Sequence, residues 1–184
     1  MFKTLANKLT LSRIILIPLI LLLLILPYKW AAWAALGFFA IAGITDWLDG
    51  YLARRENEVS RMGQFLDPIA DKLLVASLLL VLVHMGRITG FSVLPALIIL
   101  LREVAVSGLR EFLADLRVSV PVSGLAKWKT TIQILALGFL IVGSENAPIW
   151  IPATFIGDVL LWLAGGLTVV TGYDYWRASL KHLS

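Results

Sequence analysis

Four aspartates, Asp46, Asp49, Asp67 and Asp71, stand at the ends of two apolar stretches, within the segment ITDWLDGYLARRENEVSRMGQFLDPIADKLL that runs from Ile44 to Leu74. A carboxylate close to hydrocarbon costs about 2.5–3.5 kcal/mol on insertion scales, so four of them require compensation. On a helix advancing about 100° per residue, Asp49, Gly50 and Ala53 each fall within about 60° of Asp46, and Asp67 and Asp71 are about 40° apart. A hairpin of two such helices brings the four carboxylates together. Like charges at close range destabilise one another unless cations intervene, and divalent metal is the natural compensation. The sequence has no cysteine, and His84 falls toward the opposite membrane side. An all-oxygen donor set then favours a hard ion such as Mg²⁺ or Mn²⁺ over zinc. A pair of such ions suits phosphoryl transfer, where metals clamp the phosphate and stabilise the entering and leaving oxygens. Gly50 and Ala53 leave space for a ligand on the same face; Gly63 does the same or permits close helix packing.

The elements that must position these groups are membrane helices. The chain has 184 residues, 59% hydrophobic and 15% charged, with a mean hydropathy of +0.88. Soluble domains average about 45–50% apolar and about 25% charged. Disorder, a disulfide framework and a Cys-ligated zinc or iron–sulfur centre are excluded. Apolar stretches at about 14–27, 30–46, 69–85, 91–109, 130–143 and 149–171 predict six transmembrane helices. At about 20 residues per span they leave no room for a soluble domain. The expected architecture is therefore an all-α polytopic membrane protein in a single domain, residues 1–184. The first stretch follows Lys3, Lys8 and Arg13 as a signal peptide would. No small-residue cleavage site follows it, however, and Tyr28-Lys29-Trp30 leads straight into the next stretch, so it reads as a retained helix.

Counting cations sets the orientation. With a cytoplasmic N-terminus, the inner side holds Lys3, Lys8, Arg13, Arg54, Arg55, Arg61, Arg110, Arg117, Lys127, Lys129, Arg177 and Lys181, twelve of the sixteen. Lys29 and Arg87 fall in outer turns, and Lys72 and Arg102 within helices. Both termini and the aspartates are thus expected on the cytoplasmic side. The net charge of +4 is then a membrane-orientation signal with anionic lipids as partners, and no soluble basic face exists for nucleic acid.

The pattern Asp46-x2-Asp49-Gly50-x2-Ala53-Arg54-x8-Gly63-x3-Asp67-x3-Asp71 resembles the full signature of the CDP-alcohol phosphotransferase family. Asn7-x2-Thr10-x2-Arg13, Arg102-Glu103 with Ser107-x2-Arg110, and Lys127-x-Lys129-Thr130 resemble its bacterial phosphatidylglycerophosphate synthase branch, so the likeness covers nearly the whole chain. The resemblance implies six transmembrane helices, a homodimer and a polar cavity open to cytosol and lipid in a bacterial cytoplasmic (inner) membrane. It implies transfer from CDP-diacylglycerol to sn-glycerol 3-phosphate, giving phosphatidylglycerophosphate and CMP, the committed step toward phosphatidylglycerol and cardiolipin. Asp46, Asp49, Asp67 and Asp71 would hold two divalent ions, with Asp71 also the general base. Asn7, Thr10, Asp49, Gly50, Ala53, Arg54 and Gly63 would form the CDP site. The acceptor phosphate calls for fixed cations, for which Arg102, Arg110, Lys127 and Lys129 are the expected set, with Arg55 and Arg13 weaker candidates.

Plainer readings stand beside these. Asp67-Pro68 also fits an N-cap followed by proline in the first helical position. Arg54-Arg55 fits an orientation signal, Arg102-Glu103 a structural ion pair, and Lys127 and Lys129 interfacial anchors. Asp158 reads as a polar packing residue. Among rival functions, a synthase using inositol phosphate, serine or phosphatidylglycerol stays in the family, and a cationic pocket fits serine poorly. A cation-coupled transporter also keeps intramembrane carboxylates, but near the midplane and in repeated halves. Here they gather at one face without a second copy. A structural scaffold gives no reason for the spacing.

Overall fold

A computed structural model describes residues 5–56, 61–116, 118 and 124–180; the side chains of residues 5–11, 46–56, 61–65, 67 and 115 lie outside the description. Among the described residues there are six α-helices and no strand: α1 (Leu5–Ile25), α2 (Lys29–Glu56), α3 (Arg61–His84), α4 (Val93–Asp115), α5 (Gly124–Val142) and α6 (Ala153–Leu180). A 3₁₀ turn over Gly90–Ser92 leads into α4. Each apolar stretch becomes a helix, as expected, but several helices outrun their apolar part. α2 continues to Glu56, about 15 Å beyond the apolar stretch, and carries Asp46 and Asp49 on that extension. α3 begins at Arg61 and contains Pro68. Asp67 is therefore interior to the helix, which overturns its reading as an N-cap; Pro68 interrupts one backbone bond there rather than opening the helix. α5 begins at Gly124, so Lys127 and Lys129 are helical. α6 begins only at Ala153, after Pro148 and Pro152, and leaves Ile149 and Trp150 exposed in the turn before it.

The stretches Gly90–Ala114, Gly124–Val142 and Ala153–Leu180 are long and apolar enough to cross a membrane, and shorter apolar stretches occupy Ser12–Ile25 and Lys29–Thr45. Every helix contributes to one core, in which Ile20, Ala35, Leu78, Ile99, Leu137 and Leu161 are each 0% exposed. The outer surface is apolar too, with Leu22, Leu80, Leu101, Phe155 and Trp162 exposed. Where both faces are apolar, association depends on close packing and on polar contacts between helices. α6 packs most extensively on α5 and α4, and α1 on α2 and α3.

At the end of the bundle where α3 and α5 finish, Arg87 is buried and donates to the carbonyl oxygens of Leu140, at 3.0 Å, and Ile141. It also pairs with Glu145 at 2.5 Å. One guanidinium thus satisfies carbonyls that the last turn of α5 leaves without helical donors. Gly143, at φ 68°, ends that helix in the left-handed conformation.

The tightest approach of α6 to α4 is at Gly165. A Cβ there would lie 2.7 Å from Pro95 Cβ and 3.2 Å from Pro95 Cα, whereas one at the neighbouring Gly166 would meet nothing within 4 Å. The proline ring cannot rotate away. Gly165→Ala should therefore lower the melting temperature in detergent, at an overpacking cost of about 1–3 kcal/mol. Gly166→Ala should leave it unchanged or raise it. Equal effects would contradict this packing.

Candidate active site

A cavity of about 830 Å³ opens between α2, α3, α4 and α5. Its lining comes from the middle turns of the four helices, residues 39–44, 68–75, 102–111 and 129–137. α2 supplies Phe39, Gly43 and Ile44, which lead directly into Asp46. α3 supplies Asp71 and Lys72, α4 supplies Arg102, Glu103, Ser107 and Arg110, and α5 supplies Lys129 and Gln133.

Asp71 is anchored but accessible. Arg13 of α1, only 2% exposed, donates from Nη1 to its Oδ1 at 2.8 Å, while the Asp71 side chain keeps 51% of its surface exposed. Beside it, Lys72 donates to Ser107 Oγ and ties α3 to α4. Glu103 accepts from Lys129 across α4 and α5, and lies 3.5 Å from Nη1 of Arg102 on its other side. α6 supports the two arginines from behind. A Cβ at Gly172 would come within 3.2 Å of Arg102 Cγ, so the missing side chain makes room for it. The Arg110 guanidinium lies 5.8 Å from the ring centre of the buried Tyr175, a cation–π distance.

Of the acceptor-phosphate set read from the sequence, Arg102, Arg110 and Lys129 line this cavity, and Lys127 does not. Residues two apart on a helix point about 200° apart; Lys129 is buried against Glu103 and Lys127 is exposed. Arg13, ranked low on sequence grounds, is the residue that holds Asp71. The Arg102–Glu103 pair exists, but Lys129 is the nearer partner of Glu103. Lys72, read from the sequence only as a cation within a helix, and Gln133, not singled out there, also line the cavity; the signal for Gln133 is its place four residues after Lys129. Asp71 is the signature aspartate whose side chain is described. The side chains of Asp46, Asp49 and Asp67, and of Asn7, Thr10, Gly50, Ala53, Arg54 and Gly63, lie outside the described residues. Asn7 and Thr10 belong to α1, the α2 set to the last turns of that helix, and Gly63 and Asp67 to the first turns of α3.

The donor chemistry fits a hard divalent ion. Asp71 offers a carboxylate to an open cavity, Asp67 precedes it by one turn, and the α2 wall runs into Asp46 and Asp49. All are oxygen donors, and His84 sits at the far end of α3.

A family model described as CDP-alcohol phosphatidyltransferase matches residues 3–170. The chain belongs to that family. The CDP-alcohol phosphatidyltransferase match spans all four helices of the cavity and most of α6. A protein of Rickettsia felis is 45% identical over 180 residues, covering 98% of this chain and 97% of the relative. One of Pseudomonas fluorescens is 43% identical, covering 96% and 90%; one of Cereibacter sphaeroides is 36% identical, covering 96% of each. All three carry the name CDP-diacylglycerol–glycerol-3-phosphate 3-phosphatidyltransferase.

The Glu103–Lys129 contact makes a stability prediction. Lys129 is buried and Glu103 half-buried, so removing one member leaves a charge uncompensated at some part of the about 3–5 kcal/mol that a fully buried pair loses. Glu103→Ala should therefore destabilise the protein in detergent, and the Glu103→Ala/Lys129→Ala double variant should lose much less than the sum of the two singles. Additive losses would show that the two side chains are not coupled.

Proposed function

We infer that the chain transfers the phosphatidyl group from CDP-diacylglycerol to sn-glycerol 3-phosphate, giving phosphatidylglycerophosphate and CMP. The observation that carries this reading is the cavity in which Asp71 faces Arg102, Arg110 and Lys129. That pairing of charges matches a reaction with a proton to remove and an acceptor phosphate to hold. The names of the relatives support the same substrates.

On this reading Arg102, Arg110 and Lys129 bind the acceptor phosphate as fixed cations. They orient the glycerol so that its free primary hydroxyl approaches the phosphorus that bears diacylglycerol. Asp71, held by Arg13, takes the proton from that hydroxyl. The new O–P bond forms as the bond from phosphorus to the bridging oxygen breaks, and CMP departs with that oxygen. Asn7, Thr10, Asp49, Gly50, Ala53, Arg54 and Gly63 form the CDP end of the site. Asp46, Asp49, Asp67 and Asp71 would hold two divalent ions, Mg²⁺ or Mn²⁺, which would supply charge neutralisation at the pyrophosphate. The cation count supports a bacterial cytoplasmic membrane with both termini and the cavity on the cytoplasmic side. A homodimer is part of the same proposal.

The test is CMP release by the purified protein in detergent with CDP-diacylglycerol and Mg²⁺. Glycerol 3-phosphate, inositol phosphate and serine are offered in parallel, each with an EDTA control. Release with glycerol 3-phosphate alone, abolished by EDTA, is expected. Release with another acceptor would overturn the substrate, and no release from folded protein would overturn the reaction. In the same assay Asp71→Asn should lower turnover by about 10²–10⁴-fold while the protein stays inserted and folded. Turnover near wild type would remove Asp71 from the base role.

A further inference from the structure

We propose that Gln133 is a specificity-determining residue that accepts a hydrogen bond from the acceptor's secondary hydroxyl, the one that does not react. The proposal rests on the phosphatidyl-transfer reading above. Gln133 is 5% exposed and lines the cavity, yet its Oε1 is buried without a hydrogen-bond partner. A buried polar atom left in this state carries its desolvation penalty uncompensated, and native structures keep few of them.

Its neighbours on the α5 wall cannot relieve it. Ile134 and Leu137 are apolar, the hydroxyl of Thr130 donates to the Ala126 carbonyl at 3.1 Å, and the Lys129 ammonium donates to Glu103 rather than to Gln133. A donor that arrives with a ligand would supply the missing partner. Gln133 lies four residues from Lys129, about 5–6 Å along the same helix face. That is about the reach of a three-carbon polyol phosphate from its phosphate to its hydroxyls. With the phosphate on Lys129 and Arg102, a hydroxyl of the acceptor comes level with the amide. One hydroxyl must go to the reacting phosphorus; the other is free to bond Gln133. A site that leaves a buried acceptor atom unpaired rejects an analogue lacking that hydroxyl.

The test compares kcat/KM for glycerol 3-phosphate with that for 3-hydroxypropyl phosphate, which keeps the phosphate and the primary hydroxyl but lacks the secondary one. Wild-type protein should prefer glycerol 3-phosphate. Gln133→Leu should cut kcat/KM for glycerol 3-phosphate about tenfold or more and leave the deoxy compound nearly unchanged, so the preference collapses. The KM for CDP-diacylglycerol should not move. Gln133→Asn, which withdraws the amide by one methylene and keeps the wall polar, should lose the preference too and serves if the leucine variant does not fold. An unchanged preference in an active variant, an equal loss on both acceptors, or a raised KM for CDP-diacylglycerol overturns the proposal. A wild type that releases no CMP with glycerol 3-phosphate overturns the transfer reading itself.

Discussion

A charge placed between apolar helices has to find a partner, and three of the contacts among the described residues reach across to a different helix. Arg13 of α1 meets Asp71 of α3, Lys72 of α3 meets Ser107 of α4, and Lys129 of α5 meets Glu103 of α4. At the other end Arg87 closes the last turn of α5. Apolar packing alone discriminates poorly among arrangements when the surroundings are as apolar as the core. These cross-helix contacts fix the register that leucines leave loose, and three of them do so at the wall of one cavity.

Charges of both signs line that cavity, with Lys72 beside Asp71 on α3 and Glu103 and Glu111 among the arginines of α4. α3 brings Asp71 to a wall that α2 extends toward Asp46 and Asp49, while α4 and α5 bring the cations opposite. A transfer between two phosphorylated substrates needs both kinds of charge. On the proposed reading, carboxylates would gather the metal and accept a proton, and fixed cations would hold a phosphate that the carboxylates alone would repel. α6 makes no wall of its own, yet its glycines let α4 sit close and its Tyr175 backs Arg110. A helix remote from the reacting atoms thereby contributes to where the cations stand.

Much of this was legible in the sequence. Six apolar stretches became six helices, because hydrocarbon thickness imposes a length that hydropathy records directly. The aspartate spacing was legible too, since one-turn repeats on a helix survive as i,i+3 and i,i+4 patterns. Helix ends were not: α2 and α3 continue as helix past their apolar stretches, where hydropathy falls. The difference between Lys127 and Lys129 needed the start of α5, because only then is the two-residue step a turn to the opposite face. Pairings such as Glu103 with Lys129, and Arg87 with Glu145, join residues far apart in the chain and follow from how the helices are laid side by side.

On the proposed reading the signature aspartates would bind divalent metal and Lys129 would take no part in holding it. Mn²⁺ binding to the purified wild-type protein, followed by electron paramagnetic resonance, tests it without any substrate. Asp71→Asn should weaken binding by about tenfold or more, and Lys129→Ala should bind Mn²⁺ as the wild type does. Undiminished Mn²⁺ binding in Asp71→Asn would contradict the account.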